Sequence, residues 1–378
     1  MRKDLRILLT GGGSGGHIFP LISVYEELKK ISDENNLNFE FIYMGPKDNW
    51  SQMLDSKNIK LVYILGGKIR RYFSLLNFLD FFKILFSFAQ AIFKMFFIMP
   101  DVIFSKGGPG ALPVVFAGWF YKIPVLIHES DAYPGLVNLL SVRFAKKIAV
   151  AFEQAKKYFP SFKTIVVGNP IRSKILSFKI DQKIAKEKLG FNANLPLILV
   201  IGGSQGAQRI NELILLGLKD LLRLTQIFHQ TGELNFLEVQ KMARAIFLES
   251  SLNLEINYRI TPFLDEENLN LAYNAADLII SRAGSGSIFE IAAFGKPSII
   301  IPLSESANDH QRKNAYAYSE NGAAVIIEEE NLIFQIFIDQ IKLILTNKEK
   351  YQKMSEAAQK FAKQNSSQLI AEELFKLI

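Results

Sequence analysis

The chain of 378 residues has no cysteine, which excludes disulfide bridges and thiolate metal sites and suits a reducing compartment such as the cytosol. No Asp-x-Asp pair occurs, so the usual carboxylate arrangement for holding a metal ion against a phosphorylated ligand is missing. Long apolar runs are scarce as well. The richest stretch, residues 73–99, is interrupted by Asp80, Lys83 and Lys94, and falls short of the roughly 20 apolar residues needed to cross a bilayer. Residues 1–9 run directly into a strand-like segment with no separate apolar region or cleavage site, which predicts no signal peptide. Histidine is rare, with four in the chain, so each one at a loop carries weight.

What is present is globular in character. Hydrophobic residues make up 49% and charged residues 21%, too apolar for a disordered chain, and the length suits two domains of common size. The slightly positive mean hydropathy predicts some exposed apolar surface. A formal charge of +7 favours anionic partners: nucleic acid, phosphorylated substrates or an acidic lipid surface. Nucleic acid is the weakest of these, because no basic cluster is interleaved with aromatics.

Short apolar runs at 6–10, 40–44, 102–104, 125–128, 148–151 and 164–167 alternate with helical stretches, a rhythm that predicts a parallel sheet wound by helices. It restarts at 197–201 and continues at 224–228, 277–281 and 298–302. The expected class is therefore α/β with two Rossmann-like domains, 1–169 and 170–358, divided at the turn Gly168-Asn169-Pro170, and followed by a C-terminal helix at 359–378. Ligands of such sheets sit beyond the carboxyl ends of the strands, so two facing sheets would place a cleft between the domains. Residues 73–99, preceded by Lys68, Arg70 and Arg71, read either as an amphipathic helix lying at a membrane interface or as helices buried in the core.

The loop Gly11-Gly12-Gly13-Ser14-Gly15-Gly16-His17 lets backbone approach a bulky ligand and opens a helix whose free amides favour negative charge. Its spacing satisfies Gly-x-Gly-x-x-Gly, but the second strand ends Met44-Gly45-Pro46 with no acid before Asp48, which disfavours a nicotinamide dinucleotide. His17 is either a polar contact or base for a sugar hydroxyl, or a cap of its own helix. The loop Ser281-Arg282-Ala283-Gly284-Ser285-Gly286-Ser287 can cradle a diphosphate. Ser287 and Glu290 fit a capping box, and Glu290 can alternatively accept both hydroxyls of a ribose. With no metal-binding pair, helix dipoles and Arg172 would stabilise a leaving diphosphate.

Taken together, and in this order, Gly-Gly-Gly-Ser-Gly-Gly-His-Ile-Phe-Pro (11–20), Lys-Gly-Gly-Pro-Gly (106–110), His-Glu-Ser-Asp (128–131), Gly-Asn-Pro-Ile-Arg (168–172), Gly-Gly-Ser-Gln-Gly-Ala (202–207), the Arg282 loop and Asn-Asp-His-Gln (308–311) resemble the MurG family over essentially the whole chain. The resemblance implies a GT-B fold in which the C-terminal helix at 359–378 returns to the first domain, and inverting, metal-independent transfer of GlcNAc from UDP-GlcNAc to the muramyl C4 hydroxyl of lipid I, giving lipid II, with no cofactor. It implies a peripheral enzyme on the cytoplasmic face of the inner membrane, meeting an anionic membrane surface, with other cell-wall synthesis proteins as further candidate partners. Carried over by position, Ser14, Gly15 and Gly16 would contact donor or acceptor phosphate and His17 would be the candidate base. Arg172, Ser204, Leu264, Glu290 and Gln311 would hold UDP-GlcNAc, Leu264 near the uracil and Glu290 on the ribose. Asp131, Gln205 and Ser285 count with them as substrate-binding residues. One departure stands out: the family pattern His-Glu-Gln-Asn ends here in Asp131. A carboxylate accepts but does not donate a hydrogen bond, and it is unfavourable near a diphosphate unless screened or protonated. The rival enzyme reading is a GT-B transferase acting on another lipid such as diacylglycerol.

Overall fold

Runs of apolar residues with no polar alternation become strands only where both faces are covered, and this chain builds two such sheets. The computed structural model describes residues 4–66, 75–108, 110–203, 206–249 and 254–378. The chain divides into two compact units, Met1–Arg172 together with Gln364–Ile378, and Ser173–Lys363.

The first unit holds β1 (Asp4–Thr10), β2 (Asn38–Gly45), β3 (Lys60–Tyr63), β4 (Val102–Ser105), β5 (Val125–Glu129), β6 (Lys147–Val150) and β7 (Thr164–Val166), in the order β3-β2-β1-β4-β5-β6-β7. The second holds β8 (Leu197–Ile201), β9 (Gln226–Gln230), β10 (Tyr258–Thr261), β11 (Leu278–Ser281), β12 (Ser298–Ile300) and β13 (Ala324–Ile326), in the order β10-β9-β8-β11-β12-β13. Every pairing in both sheets is parallel. Successive side chains enter opposite layers, as a strand requires. Ile7, Leu9 and Phe104 join one core of the first unit, whereas Leu8 and Ile103 join the core on the other face. In the second unit Ile198, Val200, Leu278 and Ile280 share a core.

The strands β3, β10 and β13, absent from the sequence expectation, all lie at sheet edges. There a short segment with exposed Lys60 or Arg259 needs one neighbour only. β9 runs from Gln226 to Gln230, two residues beyond the expected 224–228. Its polar residues can be buried because they are paired. Gln226 closes the 192–195 turn through Asn192, and His229 is held between Tyr258 and Asn211 at 2.9 Å each.

Helix Leu75–Ile98 buries Ser87, Ala91 and Met95, one residue per turn, and exposes Phe86, Phe93, Phe96 and Phe97. Trp119 and Phe120, at the end of helix Ala111–Phe120, are also half exposed. Among the described residues no helix is long and apolar enough to cross a membrane. Lys68, Arg70 and Arg71 lie outside the described residues.

The expected single helix at 359–378 is two. Helix Lys348–Phe361 ends in the second unit, where Phe361 packs on Phe289 and Tyr318, and Ala362 turns extended. Helix Ser366–Phe375 belongs to the first unit, with Ile370, Ala371 and Leu374 in its core and Glu373 ion-paired to Lys147. The burial of Leu374 leads to an expected outcome: Leu374→Ala lowers unfolding stability by about 2–5 kcal/mol in urea denaturation. A loss below about 0.5 kcal/mol, typical of surface positions, would show that this helix adds little to the first unit.

Candidate functional site

In each sheet the order 3-2-1-4 sends the chain away in opposite directions after two neighbouring strands, and the loops that follow those strands border the resulting gap. In the first unit these are the loops after β1 and β4. Gly12 and Gly13 have φ of 148° and 88°, backbone that side chains resist. The Asp48 carboxylate accepts a hydrogen bond from the Gly13 amide at 2.8 Å, and the Tyr43 hydroxyl donates to the Gly11 carbonyl at 2.5 Å. Ser14 is the extended N-cap residue of helix Gly15–Glu34, and its hydroxyl lies 3.0 Å from His17 Nδ1. The loop after β4 closes on this one. At Gly108 (φ 85°) any Cβ would come within 2.6 Å of the Gly12 carbonyl and 3.1 Å of the His17 ring.

A cavity of about 360 Å³ opens beside these loops. His17, Lys106, Asp131 and Asn138 give it a polar side, and Phe88, Leu112 and Leu136 an apolar one. Glu129, at the end of β5, organises the loop that follows: its carboxylate accepts from the amides of Asp131 and Gly135 and from Asn138 Nδ2, all at 2.9 Å. Burial and the neighbouring Asp131 push the Glu129 carboxyl up, against the pull of the Lys106 ammonium and these hydrogen bonds. Burial lowers Lys106, and Glu129 and Asp131 oppose that shift. Burial, reinforced by Lys106 and opposed by Asp48, lowers the His17 imidazole to about 3. His128 donates from Nε2 to the Gly168 carbonyl at 2.9 Å, and is held well below its ordinary 6.5 by burial and by Lys106.

Arg172 belongs to the first unit rather than to the second, where the sequence reading put it. Its guanidinium stacks 4.7 Å above the Phe19 ring, on the helix that leaves the glycine loop.

The second unit repeats the arrangement after β8 and β11. A cavity of about 460 Å³ is bordered by Gly202, Gly203 and Gly206 of one loop, Arg282 and Gly284 of the other, and Gln311. Gln311 Oε1 accepts from the Leu303 amide at 3.1 Å. Arg282 is ion-paired to Glu329 and donates to the Ile301 carbonyl at 3.2 Å. Burial pushes Glu329 up, but Arg282 and the amide and hydroxyl of Ser304 outweigh it and hold the carboxyl below its usual range. Helix Ser285–Ala293 starts at Ser285 with Gly284 as its N-cap, so Ser287 is not a cap and the capping box does not form. Instead Glu290 accepts a hydrogen bond from the buried Tyr273 hydroxyl at 2.9 Å. Leu264 and Ser285 are buried, and with Glu290 they stand outside the lining of this cavity. Ser204 and Gln205 lie outside the described residues. Among the described residues no three His, Asp or Glu side chains converge to hold a metal.

The sequence reading missed Tyr43, Lys106 and Glu329, and used Asp48 only to argue against a dinucleotide. Lys106 stood in a motif that served only the family resemblance, and the others gave no local signal.

Two parallel-sheet units with glycine loops at both switch points have the architecture of the GT-B fold, and the family matches make the chain a glycosyltransferase of that class. Residues 7–150 match the glycosyltransferase family 28 N-terminal domain and residues 197–373 its C-terminal domain. The chain belongs to the family of UDP-N-acetylglucosamine--N-acetylmuramyl-(pentapeptide) pyrophosphoryl-undecaprenol N-acetylglucosamine transferases. It is 37% identical to that transferase of Clostridium tetani over 92% of this chain and 91% of the relative, and 35% identical to that of Caldicellulosiruptor saccharolyticus over 97% and 96%. The crystal structure of Acinetobacter baumannii MurG superposes with a TM-score of 0.76 at 26% identity, covering 98% of this chain and 99% of that one. UDP-GlcNAc 2-epimerase of Neisseria meningitidis, bound to UDP-GlcNAc, shares the fold at a TM-score of 0.68 and 17% identity, covering 99% and 100%.

The buried histidines set a pH dependence. His128 and His229 are fully buried and neutral in the fold, His229 being lowered to about 3 by burial, whereas both titrate near 6.5 when unfolded. Below about pH 6.5 the unfolded chain therefore binds more protons than the folded one. Each histidine is expected to remove about 1.4 kcal/mol of stability by about pH 5.5, and nothing above about pH 7.5. Urea denaturation at the two pH values checks this, and equal or greater stability at the lower pH contradicts it.

Proposed function

We propose that this chain transfers GlcNAc from UDP-GlcNAc, with inversion, to the C4 hydroxyl of the muramyl sugar in undecaprenyl-pyrophosphoryl-MurNAc-pentapeptide, the step that makes lipid II from lipid I. The observation that carries the reading is whole-length likeness to transferases whose name specifies both donor and acceptor. The cavity of the second unit takes the donor. Its diphosphate meets the glycine loops after β8 and β11, with Ser204, Gln205, Ser285 and Gln311 as contacts, Leu264 toward the uracil and Glu290 on the ribose. Support comes from Gln311 and both loops bordering one cavity, and from the Tyr273 hydroxyl that fixes Glu290. Amides at the start of helix Ser285–Ala293 favour the negative charge that grows on departing UDP.

The cavity of the first unit takes the acceptor, its phosphates at Ser14, Gly15 and Gly16. His17 receives the proton of the attacking hydroxyl. It is unprotonated in the empty site because it is partly withdrawn from water and lies near the Lys106 charge, and so has a lone pair to offer. A bound diphosphate raises its proton affinity through opposite charge, which moves the imidazole toward the strength a general base needs.

The exposed aromatics of helix Leu75–Ile98, with Trp119 and Phe120, supply the membrane contact of a peripheral enzyme on the cytoplasmic face, where the acceptor's lipid lies. Replacing Phe93, Phe96 and Phe97 together by serine is expected to cut cosedimentation with anionic vesicles by about tenfold or more while leaving the fold intact, since each buried side chain contributes ~1.5 kcal/mol or more. Unchanged cosedimentation would remove this helix from the membrane contact.

The direct test is transfer of radiolabelled GlcNAc to a lipid I analogue by purified protein in EDTA, with diacylglycerol as a parallel acceptor. Labelled lipid II is expected, and label on diacylglycerol alone would move the chain to the rival class. His17→Ala is expected to lower kcat by roughly 10²–10⁴-fold at unchanged donor affinity, and near-normal turnover would dismiss His17 as the base.

A further inference from the structure

Arg172 rests on an aromatic ring that the transfer chemistry above leaves without a role. The chain that leads into Arg172 is fixed: Asn169 and Ile171 are buried, and the Gly168 carbonyl accepts from His128 Nε2. Beyond that anchor the guanidinium lies 4.7 Å above the Phe19 ring. Such a stack uses the face of the guanidinium and leaves its in-plane N–H groups to polar partners. Arginine suits this place better than lysine, because a planar fork held by its face keeps a defined edge for a diphosphate.

Phe19 is itself held. It stands one turn beyond Gly15 on helix Gly15–Glu34, and the Trp50 ring meets it edge to face, with centroids 5.8 Å apart and planes at 75°. A Cβ at Gly15 would come within 2.9 Å of Phe19 and 3.0 Å of Trp50, so the glycine leaves room for the two rings to meet. Trp50 packs against the core of the first unit and is tied to the glycine loop through Asp48. One oxygen of that carboxylate accepts from the Gly13 amide at 2.8 Å, and the other from the Ser51 amide at 2.6 Å. The Asp48 amide in turn donates to the Ser51 hydroxyl at 3.1 Å, and Ser51 is fully buried. A continuous path of contacts therefore runs from the Gly13 amide, through Asp48, Trp50 and Phe19, to the Arg172 guanidinium.

We propose that Phe19, buttressed by Trp50, is a positioning residue that sets the plane of the Arg172 guanidinium for the donor's diphosphate, an inference that rests on the reading of Arg172 as a UDP-GlcNAc contact. Phe19 touches no reacting atom. It restricts the orientations that a long, flexible side chain would otherwise give up when the donor binds, so the charge that grows on departing UDP meets a guanidinium already in place. The aromatic face matters here rather than bulk alone. Tyrosine can supply that face and leucine cannot.

The test measures transfer by Phe19→Leu, Phe19→Tyr and Trp50→Leu, alone and combined with Arg172→Lys, with donor and acceptor concentrations varied separately. Phe19→Leu is expected to lower kcat/KM for UDP-GlcNAc about tenfold, between the exposed and desolvated strengths of a cation–π contact, and to leave the acceptor KM within about twofold. Phe19→Tyr stays within about threefold of the parent, and Trp50→Leu costs about threefold because it acts through one more ring. In the Arg172→Lys background, Phe19→Leu costs less than about twofold more, since an ammonium has no plane for the ring to set. Losses that multiply in the double variant, a tyrosine variant as poor as the leucine one, or a donor kcat/KM that Phe19→Leu leaves unmoved or raises all overturn the proposal. A ring with a merely structural role would lower stability in urea and leave donor kinetics unchanged. Should Phe19→Leu not fold, Trp50→Leu carries the same cycle with Arg172→Lys. If Arg172→Lys by itself keeps the parent's donor kcat/KM, Arg172 is not a diphosphate contact, a result distinct from an additive cycle in which Arg172→Lys is costly.

Discussion

At the middle of each sheet the chain turns left after one strand and right after its neighbour, and the loops that leave β1 and β4, or β8 and β11, cannot both cover the gap between them. Parallel strands need helices on both faces, and the crossovers that supply them must diverge somewhere; the divergence is where backbone amides stay open to a ligand. The two cavities described above sit there. The glycines follow from the same constraint. At Gly108 a single Cβ would collide with the Gly12 carbonyl, so the two loops of the first unit touch only because neither carries bulk at that point.

Polar groups buried around these gaps decide what each can hold. In the first unit one ammonium, Lys106, lies near two carboxylates and two imidazoles, and its charge helps keep both imidazoles neutral. A neutral His17 can accept a proton, and a neutral His128 can spend its Nε2 proton on the Gly168 carbonyl, tying β5 to the chain's exit from the sheet. Glu129 works as scaffold: its hydrogen bonds shape the loop that carries Asp131 and Asn138 to the cavity.

The second unit solves a related problem with a pair rather than a cluster. Arg282 follows β11, and Glu329 comes from the segment after β13. Their ion pair, with Ser304 on the same carboxylate, joins three connections at the rim of one cavity. Each ion of a buried pair is costly alone, so the rim is held in one arrangement. Glu290, by contrast, accepts a hydrogen bond from a neutral donor, the Tyr273 hydroxyl, which orients its carboxylate.

The central strands, the glycine loops and the order of family motifs could be read from the chain alone, because continuous apolar runs and positive-φ turns are demands that a few consecutive residues meet by themselves. The edge strands β3, β10 and β13 could not, since pairing with a neighbour, not local pattern, makes them strands. The Ser287 and Glu290 spacing fits a capping box, yet the helix starts at Ser285 and Glu290 turns to a tyrosine from another helix. Arg172 follows a turn that reads as a domain boundary, but its stacking on Phe19 keeps it with the first unit. Lys106 is the clearest case. In sequence it is one basic residue among glycines, whereas its burial near Glu129 and Asp131 depends on β4 and β5 lying side by side. Charge acts through space, and only the tertiary structure decides which charges are near.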